Sequence, residues 1–332
     1  MDLIEDDKLI FLLCSERSGS NFITKLFNNH PEVCGPSTKH IINPLARNYF
    51  RYQPLSKRRN WELLIDDLLN LFNVEFSIWQ SKFAKEEIVN SVETGNLSQL
   101  IKYFFSKETY LNQKKYCIVK EIKAYEFYPF LKAKFKNPKF LFQVRDPRDM
   151  ALSWKKSSIH FGGVVAAARQ WKNDQQQYLK ILELERESTS ITLLKYEDLI
   201  SNTESELKRI LKVYDLDFNS SMLEMRKDNL TAKNAKAQES WVNLSKPVMS
   251  NNSEKYKNDL SPIEIKFIEN ICYFEMQYLG YQTNHNWSSL SKINSEEIQE
   301  FHTQESLSLN YEPNLGVKSN MKAKQRFYQH LK

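Results

Sequence analysis

Two short stretches hold side-chain types suited to gripping an anion. The first is Ser15-Glu16-Arg17-Ser18-Gly19-Ser20-Asn21, set between the apolar run Leu9–Cys14 and the helix-compatible Phe22–Asn28. A helix start offers unpaired backbone N–H groups and the positive end of the peptide dipole, so a strand-to-helix turn of this composition suits an oxyanion. Gly19 lets the backbone approach a ligand without a Cβ in the way. Ser20 and Asn21 add side-chain donors, and Arg17 brings a fixed charge on a forked donor. The chain has only seven glycines, and one of them lies here. On local sequence alone the stretch is equally a serine-capped turn. The second stretch is Arg145-Asp146-Pro147-Arg148-Asp149, with Ser153 following. Asp146 suits a cap and Pro147 the first helical position, which puts Arg145 at the end of the preceding strand. Ligands of open α/β sheets bind at that carboxyl edge. Alone, such a stretch is more often a turn with surface ion pairs.

The elements that must position these residues follow from apolar runs and breakers. Leu9–Cys14, Tyr116–Val119, Phe140–Val144 and Ile191–Leu194 are expected as buried parallel strands. Helices are expected over Phe22–Asn28, Tyr125–Phe135, Pro147 to about Ser157, Val164–Glu187, Ser201–Val213 (with Ser201 or Asn202 as cap) and Ile263–Leu279, the last closed by Gly280. This βα alternation predicts an α/β fold with a central parallel sheet flanked by helices. Leu45–Leu111, with helical patterning in Trp61–Phe72 and Glu86–Val92, is too long for one crossover. It is expected as a helical insertion that helps to form a ligand pocket. Residues 1–283 then make a single domain. Residues 284–332 are polar with few anchors, and are expected as a packed arm or a partly disordered tail.

Composition narrows the partners. The net charge of +6, from 47 basic and 41 acidic residues, mildly favours an anionic ligand and is too dispersed for nucleic acid. Lys57-Arg58-Arg59 is expected as a solvated face. The four cysteines are far apart with no CxxC pair, as expected of reduced thiols, and the six histidines lack HxxxH or HExxH spacing, so no metal is expected. The acidic start Met1–Lys8 is unlike a secretory signal, and no window approaches the ~20 apolar residues of a membrane helix. The expectation is a cytoplasmic protein without a membrane span.

Taken together, the motifs resemble those of the PAPS-dependent sulfotransferases, which use 3′-phosphoadenosine 5′-phosphosulfate. Arg17-Ser18-Gly19-Ser20-Asn21-Phe22 and then His30-Pro31-Glu32-Val33 are similar to the family's 5′-phosphosulfate loop, nearest to the carbohydrate and tyrosylprotein branches. Arg145-Asp146-Pro147-Arg148 with Ser153 resembles the 3′-phosphate motif. Lys120 falls where many members carry a lysine, and Tyr196-Glu197-Asp198-Leu199 and the stretch from Lys246-Pro247-Val248 to Gly280-Tyr281 resemble later segments. The likeness covers roughly residues 9–39 and 116–281 in the right order.

The resemblance implies a P-loop-like three-layer fold, PAPS as sulfuryl donor, PAP as product and no metal. Arg17, Ser18, Gly19, Ser20 and Asn21 would hold the 5′-phosphosulfate, and Phe22 would lie against adenine or in the core. Arg145 and Ser153 would hold the 3′-phosphate, with Lys255 near it or simply exposed. Arg17 would also serve catalysis by holding the phosphosulfate, and Lys120 would stabilise the leaving oxygen. The Glu pair of the tyrosylprotein branch is missing from Cys34-Gly35-Pro36-Ser37-Thr38-Lys39-His40, so peptide tyrosine is a poor candidate acceptor. His40 is the first candidate base and His160, before Gly162-Gly163, the second; Glu121 and Glu126 stay open. A small molecule or carbohydrate is the expected acceptor. The rivals are a P-loop-like kinase or nucleotide enzyme, against which the absent GxxxxGK[ST] loop argues, and a catalytically silent PAPS-binding protein.

Overall fold

A computed structural model describes residues 1–74, 77–157, 159–224, 252–292, 294–296, 299 and 315–328. Five parallel strands form one sheet in the order β2-β3-β1-β4-β5. They are β1 (Leu9–Cys14), β2 (Val33–Cys34), β3 (Tyr116–Lys120), β4 (Lys139–Val144) and β5 (Ile191–Lys195). All six residues of β1 are buried, as expected of a strand covered on both faces. Its side chains alternate between two cores. Leu9, Phe11 and Leu13 join the larger one, whereas Ile10, Leu12 and Cys14 join the one that holds Ile23, Leu26 and Phe27 of α1 (Ser20–Asn29). Layers of helices therefore lie on both faces of the sheet.

The insertion supplies α2 (Ile42–Asn48), α3 (Arg58–Phe72), α4 (Lys85–Ser91) and α5 (Leu97–Leu111), which pack into the larger core through Trp61, Leu64, Leu68 and Phe104. Lys57, Arg58 and Arg59 are exposed. Next come α6 (Tyr128–Lys134), α7 (Pro147–Lys155), α8 (Gly163–Leu184), α9 (Tyr196–Ser201), α10 (Thr203–Leu211) and α11 (Pro262–Tyr278). Ser261 and Glu264 form a reciprocal capping box at the start of α11, and Gly280 beyond its end takes φ 71°.

Several expectations shift in detail. Tyr125–Phe135 divides into a 3₁₀ turn, Ala124–Phe127, and α6, since Pro129 fits only the first turn of a new helix. Tyr196–Ser201, directly after β5, forms a short helix of its own, with Glu197 and Asp198 in its first turn. The segment beyond 283 includes α12 (Leu315–Gln325), and Phe327 just past it is fully buried. All four cysteines are free and buried. Lys246-Pro247-Val248 lies outside the described residues. No described helix is long and apolar enough to cross a membrane, and no metal-binding group of His, Cys, Asp or Glu occurs among the described residues.

Candidate active site

β1 ends at the carboxyl edge of the sheet, and residues 15–19 turn from it into α1. Arg17 and Gly19 take φ of 60° and 85°. A Cβ on Gly19 would lie 2.4 Å from Cδ2 and Cε2 of Tyr196, so both backbone conformation and close packing require glycine there. The turn is pinned from within and behind. Ser18 Oγ donates to the Ser15 carbonyl (2.7 Å), Gln143 Nε2 to the Ser18 carbonyl (2.9 Å) and Gln175 Nε2 to Ser15 Oγ (2.8 Å). With the Ser18 hydroxyl engaged in the turn, the donors facing outward are those at the start of α1, where Ser20 and Asn21 have no intrahelical acceptor. Burial pushes Asp174, behind this turn, up to about 6 despite hydrogen bonds from Ser15, Tyr125 and Gln170.

The second loop starts α7 as its sequence dictates, with Asp146 accepting from the Arg148 N–H (2.8 Å) and Pro147 in the first turn. Arg148 turns inward. It grips Asp146 with two nitrogens (3.0 and 2.7 Å), donates to Glu269 of α11 (2.7 Å) and stacks 4.3 Å over Tyr256. Its role is to hold the loop. Arg145 instead faces the first loop. Its Nη1 donates to the Arg17 carbonyl (3.2 Å), its Nη2 to the Asn252 carbonyl (3.1 Å), and its guanidinium lies 4.6 Å over the Tyr196 ring. Arg145 Nε is buried without a partner among the described residues, an orphaned donor that an added oxyanion would satisfy.

The sequence reading grouped Ser153 with Arg145. In the structure Ser153 Oγ accepts from Arg17 Nε (3.0 Å), so the two loops are joined side chain to side chain. Lys120, at the end of β3, donates to Asn21 Oδ1, and burial lowers its pKa. Phe22 is half-buried, its ring edge-on to Tyr196 at 6.5 Å. Lys255 is exposed beside the turn Tyr256–Asp259, which Asp149 anchors through the N–H groups of Glu254 (2.6 Å) and Tyr256 (3.0 Å).

Beside Lys120 lies a small cavity, lined by the polar residues His40, Lys120 and Glu121 and the apolar residues Ile41, Trp79 and Phe105 among others. The insertion shapes it. Trp79 Nε1 donates to the Ser37 carbonyl (2.7 Å), and Lys39 Nζ caps α3 through the carbonyls of Leu71, Phe72 and Val74 at 3.0–3.2 Å. These bonds fix the loop that carries His40, whose φ is 54°. His40 Nδ1 lies 3.2 Å from Glu121 Oε2, while Glu121 Oε1 accepts from the Ile42 N–H (2.9 Å). Burial lowers the His40 pKa, an effect that the Glu121 bond partly offsets. His160 has both ring nitrogens engaged, Nδ1 with Ser157 Oγ (2.8 Å) and Nε2 near Glu16 (3.6 Å), and it packs 4.2 Å from the Trp154 ring. Glu126 pairs with Arg47, away from this group.

Sequence reasoning missed Tyr196, Gln143 and Asn252, which frame the loops, and Trp79 and Phe105 of the cavity. Only Tyr196 carried a signal, its place in the YEDL segment.

Residues 10–220 match the sulfotransferase family. No curated protein matches the sequence. The fold is similar to the sulfotransferase domain of the Synechococcus PCC 7002 olefin synthase, with a TM-score of 0.60 and 16% identity over 85% of this chain and 98% of that one. It is similar also to the sulfotransferase domain from the curacin biosynthetic pathway, with a TM-score of 0.58 and 14% identity over 85% of this chain and all of that one. At such identities these likenesses speak for the fold. Since the family match spans well over half of the sequence and takes in both anion loops, the chain belongs to the sulfotransferase family, enzymes that move a sulfuryl group from donor to acceptor.

Proposed function

We propose that the chain transfers the sulfuryl group of PAPS to a hydroxyl or amine of a small-molecule or carbohydrate acceptor by in-line displacement. The observation that carries this reading is the convergence of two cationic loops at one sheet edge, joined by the Arg17–Ser153 hydrogen bond, beside a cavity that ends in an imidazole–carboxylate pair.

In this reading Arg17, Ser18, Gly19, Ser20 and Asn21 hold the 5′-phosphosulfate, largely through the backbone N–H groups at the start of α1. Arg145, with its orphaned Nε, and Ser153 hold the 3′-phosphate, Lys255 adds positive charge nearby, and Phe22 bears on the adenine. Sulfuryl transfer resembles phosphoryl transfer in spreading charge over the transferred group and bridging oxygen, so positioning and electrostatics supply most of the acceleration. Lys120 meets the negative charge that develops on the leaving oxygen.

His40 is the acceptor-side base. An ionised Glu121 only accepts, so it fixes the proton on Nδ1 and leaves Nε2 free to take the proton of the attacking group. Glu121 also stabilises the imidazolium that results. His160 is less suited, because both of its nitrogens already face partners.

The donor assignment is tested by calorimetry with PAP and with adenosine 5′-phosphosulfate, which lacks the 3′-phosphate. Arg145→Ala should weaken PAP by about tenfold or more and adenosine 5′-phosphosulfate little, with Ser153→Ala showing a smaller difference of the same sign. Equal weakening of both ligands would assign these residues to general structure.

A further inference from the structure

The peptide that joins Arg145 to Asp146 lies just past the end of the sheet. The ladders of β4 with β1 and with β5 end at Gln143 and Val144, so neither reaches it. A buried peptide left out of the ladder must find its partners elsewhere. Two side chains from distant elements supply them. Trp171 Nε1, on α8, donates to the Arg145 carbonyl (2.9 Å), and Glu197 Oε1, on α9, accepts from the Asp146 N–H (2.9 Å). Both polar atoms of this one peptide are therefore held by side chains.

Each holder is itself fixed. Trp171 is fully buried in the larger core. Glu197 Oε2 accepts from the Tyr281 hydroxyl (2.9 Å), and the Lys195 ammonium lies 4.8 Å over the Tyr281 ring. On the far side of the peptide, the Asp146 carboxylate is gripped by Arg148, which Glu269 of α11 braces in turn. The backbone at Arg145 sets where its long side chain starts, and so where the orphaned Nε points.

We propose that Trp171 and Glu197 are positioning residues for recognition of the 3′-phosphate: together they clamp the Arg145–Asp146 peptide and so aim the Arg145 guanidinium. The proposal rests on the sulfuryl-transfer reading above, in which Arg145 holds that phosphate.

The test measures by calorimetric titration the preference of the full chain for PAP over adenosine 5′-phosphate, two ligands that differ by the 3′-phosphate alone. Trp171→Phe removes the indole N–H and keeps an aromatic ring in the core, whereas Glu197→Ala removes the acceptor. Each should cut the preference by about fivefold or more, with adenosine 5′-phosphate bound within about twofold of wild type. Glu197→Gln keeps an acceptor for the Asp146 N–H and should hold the preference within about twofold of wild type. In an Arg145→Ala background, with no guanidinium left to aim, Trp171→Phe should lower the preference no further. An unchanged preference in Trp171→Phe overturns the proposal, and this variant decides the matter even if Glu197→Ala fails to fold. Equal weakening of both ligands overturns it too, since that is the mark of a merely structural role. So does a loss in Glu197→Gln as large as that in Glu197→Ala, or a further loss in the Arg145→Ala background. A wild-type chain without preference for PAP, or a preference that survives Arg145→Ala alone, would overturn instead the reading of Arg145 beneath the proposal.

Discussion

Gly19→Ala puts a single methyl group at the most constrained point of the phosphate loop. Two costs add. The residue sits at φ 85°, where a Cβ costs about 1–2 kcal/mol. The new carbon would also lie 2.4 Å from two Tyr196 ring atoms, an overpacking worth about 1–3 kcal/mol. Tyr196 cannot yield alone, because the Arg145 guanidinium lies over its ring and Asn252 Nδ2 donates to its hydroxyl (2.6 Å). Moving the ring therefore disturbs the candidate 3′-phosphate group as well as the loop. The combined ~2–5 kcal/mol should appear as a fall of several degrees in melting temperature and a loss of about 10²-fold in PAP affinity, equivalent to about 2.7 kcal/mol. Calorimetric titration and thermal unfolding read the two effects. In the Gly19→Ala/Tyr196→Ala double variant the steric part disappears, so stability should recover relative to the sum of the single changes. A Gly19→Ala protein that binds PAP within about threefold of wild type would refute the reasoning.

His40→Ala should lower kcat by about 10²-fold or more with PAPS affinity little changed, while His160→Ala should be milder; the opposite ranking would make His160 the base. A base must be unprotonated to act, so kcat should rise with pH through the His40 pKa. Burial lowers that pKa, so the rise should lie below the ordinary histidine range and be complete by neutral pH; a rise centred above that range would contradict the assignment. Arg148→Ala should destabilise the fold by about 3–5 kcal/mol, because it strands the buried carboxylates of Asp146 and Glu269, and denaturant unfolding showing under about 1 kcal/mol would exclude that bridging role.

The sheet and both loops were legible because their signals are local. Four strands appear as apolar runs, and the two oxyanion stretches carry glycine, proline and arginine at spacings that strand-to-helix turns demand. The edge strand β2 was not legible, since two residues leave no period to detect. The contacts that assemble the site are non-local. Arg17 and Ser153 stand 136 residues apart, His40 and Glu121 stand 81 apart, and no periodicity links them. For the same reason the hydrogen bond from Arg17 to Ser153 could not be foreseen. The C-terminal segment looked unanchored because its buried apolar residues among those described, Leu290, Ala323 and Phe327, are too few and too scattered to give an amphipathic pattern.

The central claim is that the converging loops bind PAPS and that its sulfuryl group leaves for an acceptor. Incubation of the chain with PAPS bearing radiolabelled sulfur and pools of hydroxylated small molecules and sugars, in a metal chelator, tests it directly. The account predicts label transferred to an acceptor with one PAP released per label, and loss of that transfer in Arg17→Ala while the fold survives. Undiminished transfer by Arg17→Ala, or a wild-type chain that neither binds PAPS nor transfers label, would contradict it.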